Sequence, residues 1–121
     1  MTKFTSQDYV PSDIVAGNAH DLASRNITLI SGQNLARGAV LGKITASGKY
    51  TLSASAAGDG SEVPDLVLVD DTDASGADAV TLGYARGDFI EGQLTIGTGH
   101  TADSIREGLR GKGITMIKSE A

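Results

Sequence analysis

The chain has 121 residues, a net charge of −5 from 10 Lys and Arg against 15 Asp and Glu, 16 Gly, and neither Cys nor Trp. That length is one domain, and thiolate metal sites, redox switches and disulfides are excluded. The acidic balance, with basic residues scattered singly and only Arg106, Arg110 and Lys112 close together, argues against nucleic acid, which needs a basic footprint.

Residues 1–24 are polar and irregular, with Pro11 and Gly17 as breakers. Their apolar residues Phe4, Tyr9, Val10, Ile14, Val15 and Leu22 keep no period of 2 or 3.6. The segment reads as a flexible N-terminal arm without a core of its own; the alternative is a segment wrapped on the domain surface. It lacks the apolar stretch of a signal peptide, and no apolar run approaches the roughly 20 residues of a membrane span.

Residues 25–121 read as a β-rich domain of short strands punctuated by Gly. Strands are expected at Ile27–Ile30, Ala39–Ile44 and Lys49–Ser53, the last two joined as a hairpin through Ala46-Ser47-Gly48. Ser53–Glu62 is a small-residue loop. Leu66-Val67-Leu68-Val69 is short, apolar and β-branched, as in a buried strand. Asp70–Asp78 reads as an acidic loop. In Val80–Arg86, Val80, Leu82 and Tyr84 face one way and Thr81, Gly83 and Ala85 the other. Asp88–Glu91 and Leu94–Ile96 have strand character. Thr101–Arg110 is a short amphipathic helix carrying Ala102, Ile105 and Leu109 on one face, with Asp103 near its start and Arg110 at its end. Gly111 and Gly113 end it, and Ile114–Ile117 is a last strand. The fold class is mainly β: a small barrel or sandwich with one short C-terminal helix.

Two motifs bear on chemistry. Asp71-x-Asp73-x-Ser75-Gly76 matches the first half of a calcium loop of the EF-hand type, but its twelfth position is Leu82 rather than Glu, and neither flank is helical. A solvated acidic turn is the expected reading. Gly97-x-Gly99-x-x-Ala102 matches a dinucleotide fingerprint, yet the preceding chain offers no further strand–helix units, so the glycines read as a turn into the helix. His20 and His100 have no motif around them and are expected at the surface. No nucleophile elbow or zinc-protease signature is present. The chain is expected to be no enzyme and to bind no cofactor, metal, nucleic acid or membrane.

Three stretches carry a family resemblance, through structural rather than catalytic motifs. Leu35-x-Arg37-Gly38-x-Val40-Leu41-Gly42-Lys43-Ile44, with Gly48-Lys49-Tyr50, resembles the opening of the phage head decoration proteins. Tyr84-Ala85-Arg86-Gly87-Asp88-Phe89 and Ile105-x-x-x-Leu109-Arg110-x-x-Gly113-Ile114 are similar too, and the region Ala54–Asp78 fits worst. The resemblance implies a small β-clip-like barrel or sandwich and a homotrimer made in the host cytoplasm. It implies binding to the major capsid protein at three-fold positions on the outside of expanded tailed-phage heads, which it reinforces against internal DNA pressure. On that reading the arm contacts the capsid through Thr2, Phe4, Tyr9, Val10, Ile14 and Val15. Phe89, Ile90 and Leu94 are the candidate trimer contacts. The alternative is an unrelated small β-clip module that binds a ligand or a protein.

Overall fold

A computed structural model of the chain describes residues 23–118. Among the described residues, eight strands run in the order β1 (Ala23–Leu29), β2 (Gln33–Leu35), β3 (Val40–Lys43), β4 (Tyr50–Leu52), β5 (Pro64–Leu68), β6 (Thr72–Ala74), β7 (Ala79–Ile90) and β8 (Ile114–Ile117). A helix, α1 (Ala102–Arg110), separates β7 from β8. The main sheet has the order β1-β4-β3-β5-β7-β8, and β1 also pairs with β7. The first five strands therefore close on themselves. Of the barrel and sandwich left open by the sequence, the chain forms a five-stranded barrel, with β8 as an extension.

Closure rests on the length of β7. Its first part pairs antiparallel with β1 from Leu29↔Ala79 to Ala23↔Arg86, and Tyr84 and Gly83 pair with β5. Its last four residues, Gly87–Ile90, pair in parallel with β8. The expected hairpin is present, with Lys43↔Tyr50 and Leu41↔Leu52 opposite one another.

Two cores lie back to back. The barrel interior holds Ile27, Leu29, Ala39, Leu41, Tyr50, Leu66, Leu68 and Ala74. The second core sits outside the barrel wall, beneath α1, and holds Val40, Val67, Phe89, Ile105, Leu109, Ile114 and Met116. β3 and β5 form the wall between them, so Leu41, Leu66 and Leu68 point inward while Val40 and Val67 point toward the helix. This explains the unbroken apolar run in β5, since a strand buried on both faces has no polar side. On β7 it is the small face that turns inward. Ala79 and Ala85 pack in the barrel, and a Cβ on Gly83 would come within 2.9 Å of a Leu66 methyl. A barrel of only five strands has no room for larger groups there. Val80 on the opposite face is 78% exposed.

The helix begins at Thr101, whose hydroxyl accepts the Ser104 N–H while the Ser104 hydroxyl accepts the Thr101 N–H. This reciprocal cap satisfies two otherwise unpaired donors. Ile105 and Leu109 are buried as expected. Leu94–Ile96 is no strand; it contributes one bridge, Thr95↔Ala39, after a 3-10 turn at Glu91–Gln93.

Candidate interaction surface

The barrel wall has one open seam. β1 meets β4 only at Leu29↔Tyr50, with Ile30 N–H donating to Tyr50 O at 2.9 Å. Upstream, β1 leans on β7 alone. Val69 N–H donates to Leu82 O at 3.0 Å, so the peptide groups of Leu82 face β5. Its cross-strand partner is Asn26. Antiparallel ladders alternate, so the N–H and C=O of Asn26 turn away from β7 into the seam. There a cleft of about 350 Å³ is lined by Arg25, Asn26, Ile27, Thr28, Lys43, Gly48, Tyr50 and Val80.

The floor of this cleft is tied to the rest of the molecule through Asp65. Its carboxylate accepts Tyr50 OH at 3.1 Å and Lys112 Nζ at 3.0 Å. Arg25 Nη2 lies 3.9 Å away. Burial, then the Asp65 charge and hydrogen bond, pushes the Tyr50 phenol above its ordinary range, so it stays a neutral donor. Lys43 is exposed and has no ion pair among the described residues.

The acidic stretch 70–78 is more ordered than a solvated turn. Thr72–Ala74 is strand β6, paired antiparallel with β2 through Gln33↔Ala74 and Leu35↔Thr72. Its carboxylates serve as backbone acceptors. Asp71 accepts Arg37 N–H at 2.8 Å, Asp73 accepts the N–H and hydroxyl of Ser75, and Asp78 accepts Ser31 N–H at 2.8 Å and pairs with Lys49 at 2.6 Å. Among the described residues, no group of three or more His, Cys, Asp or Glu could hold a metal ion.

These contacts set an acid limit. The Ser75 hydroxyl and N–H hold Asp73 below the usual carboxylate range. The Lys49 ammonium and then Ser31 N–H do the same for Asp78, and the Ser61 hydroxyl and N–H for Asp59. A carboxylate whose folded pKa lies below its unfolded value stabilises the fold above the unfolded pKa, and that contribution is lost as pH falls through the folded one. The melting temperature should therefore hold between neutrality and about pH 5 and drop below about pH 4. Asp78→Asn should reduce that acid dependence when melting is followed by circular dichroism across pH.

Gly97 and Gly99 serve packing against the chain's own backbone. A Cβ on Gly97 would sit 1.9 Å from Ser53 O, and one on Gly99 1.9 Å from Ser55 Oγ. The strand before α1 that pairs with β8 is Gly87–Ile90 rather than Leu94–Ile96. His100 differs from its expected place at the surface. It is half-buried, with Nε2 2.9 Å from Glu62 O and 3.3 Å from Ser53 Oγ. Ser53 Oγ donates to Ser61 O at 2.7 Å, so the imidazole proton belongs on Nε2, where both neighbours can accept it.

Three basic residues near the C-terminus are paired: Arg106 with Glu91 and Asp103, Arg110 with Glu107, and Lys112 with Asp65. Phe89, expected at a subunit interface, is 0% exposed at the centre of the helix-side core. A side chain with no free surface cannot meet a second chain. Leu94 packs against the same core, and Ile90 keeps partial exposure. Thr2, Phe4, Tyr9, Val10, Ile14, Val15 and His20 lie outside the described residues. β1 starts at Ala23, so Ala23 and Ser24 belong to the barrel rather than to the arm.

A small barrel braced by one helix, with a polar open seam, has the make-up of a binding or structural protein. Residues 4–114 match the family model of bacteriophage lambda head decoration protein D, and the chain belongs to that family. Among curated proteins, none matches it. No helix among the described residues is long and apolar enough to cross a membrane.

Proposed function

We propose that this chain is a non-enzymatic cement protein of a tailed-phage virion. It binds the outer face of expanded heads as a homotrimer at three-fold positions and reinforces the shell of major capsid protein against the pressure of packaged DNA. The observation that carries this reading is the family match over residues 4–114, which takes in most of the N-terminal arm as well as the barrel. The net charge of −5 fits an outer-face protein with no packaged genome to touch, and the paired Arg106, Arg110 and Lys112 offer no basic footprint.

Within this reading, the chain before β1, residues 1–22, forms the capsid-binding arm. Fully extended, twenty residues span up to about 65 Å, enough to cross onto a neighbouring capsid subunit. Phe4, Tyr9, Val10, Ile14 and Val15 are apolar anchors too few to fold alone; the arm adds a strand to an exposed sheet edge of the capsid protein, with Pro11 confining the pairing to Thr2–Val10. Ordering costs about 1–2 kcal/mol per residue, so a single arm binds weakly, and three arms on a trimer multiply the apparent affinity.

Co-sedimentation of the purified chain with undecorated expanded heads tests the function. Deleting residues 2–15 should leave the melting temperature unchanged and abolish most of the head binding. Full decoration by the truncated chain would place the binding surface on the barrel. Failure of the whole chain to sediment with heads would overturn the reading itself.

A further inference from the structure

Two clefts of opposite charge share one ridge. The seam cleft presents Arg25 and Lys43, the latter without an ion pair among the described residues. On the far side of β1 and β7, a second cleft is lined by Asp70, Asp71, Thr72 and Asp73. Asn26 and Val80 line both. Val80, on this shared ridge, is the most exposed of the large apolar side chains among the described residues. A basic and an acidic surface flanking one ridge complement each other either reciprocally across a two-fold axis or in a head-to-tail contact, which closes into a ring when its rotation divides a full turn; the trimeric reading selects the second. Close to a three-fold axis, the donor and acceptor surfaces of one subunit lie side by side, with the wedge between them aimed at the axis. The ridge has that layout.

We propose that the Asn26–Val80 ridge faces the three-fold axis of the homotrimer. The Arg25–Lys43 cleft of each copy receives the Asp70–Asp73 segment of the next, and three Val80 side chains meet at the centre. This rests on the trimeric reading above and assigns its interface. Acidic side chains entering the seam provide acceptors for the Asn26 N–H and a counter-charge for Lys43. The valines lose water at the axis. The acidic stretch, which contributes no metal site, thereby acquires a role. In a chain of net charge −5, association depends on such local complementarity to offset overall repulsion.

The absence of cysteine makes the test direct. Val80→Cys and, as a control, Val63→Cys are each treated with a short three-armed maleimide, free in solution and bound to heads. Val63 is also exposed but lines neither ridge cleft; its own cleft, with Asp65 and Lys112, shares only Lys43 with the seam. The expected result is a covalent three-chain species from Val80→Cys and single chains from Val63→Cys. Lys43→Glu and Asp70→Lys should each weaken trimer association by about tenfold or more, and the double reversal should restore it, with melting temperatures confirming that every variant folds. A three-chain mass by light scattering without Val80→Cys linkage, or without rescue by the double reversal, would overturn the interface while leaving the trimer standing. Single chains both in solution and on heads would overturn the trimer and the interface with it.

Discussion

Gly42→Ala should destabilise the fold by about 3 kcal/mol or more, at the upper end of overpacking costs, and lower the melting temperature by more than about 10 °C. Gly42 sits in β3, between Thr51 of β4 and Pro64 of β5, where the register with β5 shifts. A Cβ there would lie 2.0 Å from Ser61 O, 2.7 Å from its carbonyl carbon and 2.8 Å from its Cα. All three are backbone atoms, so no rotamer change relieves the clash and the 61–62 segment must move. That movement breaks the buried bond from Ser53 Oγ to Ser61 O and loosens the contact of His100 with Glu62 O. Gly76→Ala is the control. Nothing lies within 4 Å of its Cβ position, and its melting temperature should stay within a few degrees of the parent. A Gly42→Ala chain as stable as the parent would show that the strand crossing is looser than these distances allow.

Gly42 also shows how far the residues alone could be read. It stands inside the Leu35–Tyr50 stretch that carries the family resemblance, yet a glycine kept for close approach looks in sequence like one kept for a turn. Periodicity worked where a strand has one or two buried faces. Ile27–Ile30, the β3–β4 hairpin, Leu66–Leu68 and the helix face of Ile105 and Leu109 were legible for that reason. It failed for β2 and β6, whose Gln33-Asn34 and Thr72-Asp73 carry no apolar pattern. Tertiary bonds hold them instead, from Gly32 N–H to Ala74 O and from Arg37 N–H to Asp71. The alternation of Val80, Leu82 and Tyr84 was legible, but not that a narrow barrel would take the Ala and Gly face inward. The candidate interface was the hardest part to see. It depends on which cations stay unpaired and which strand edge stays open, and both are set by residues distant in the chain.

Phe89→Ala should cost about 3–5 kcal/mol, the range for deleting a buried aromatic ring, against a total of about 5–15 kcal/mol for a domain. Phe89 is fully buried between α1 and the barrel wall, with its ring centre 5.3 Å from that of Tyr84. It lies on the part of β7 that pairs with β8, opposite Met116. The cavity would therefore open where the C-terminal strand and helix attach to the barrel through Val40 and Val67. Phe89→Leu keeps most of the volume and should cost less than about 1.5 kcal/mol. The experiment also separates a core residue from an interface residue. A core role lowers the melting temperature equally at every protein concentration. An interface role leaves the isolated subunit stable and makes the loss vanish on concentration, because mass action restores a weakened oligomer. The burial of Phe89 predicts the first outcome, and a concentration-dependent loss would return it to the subunit interface.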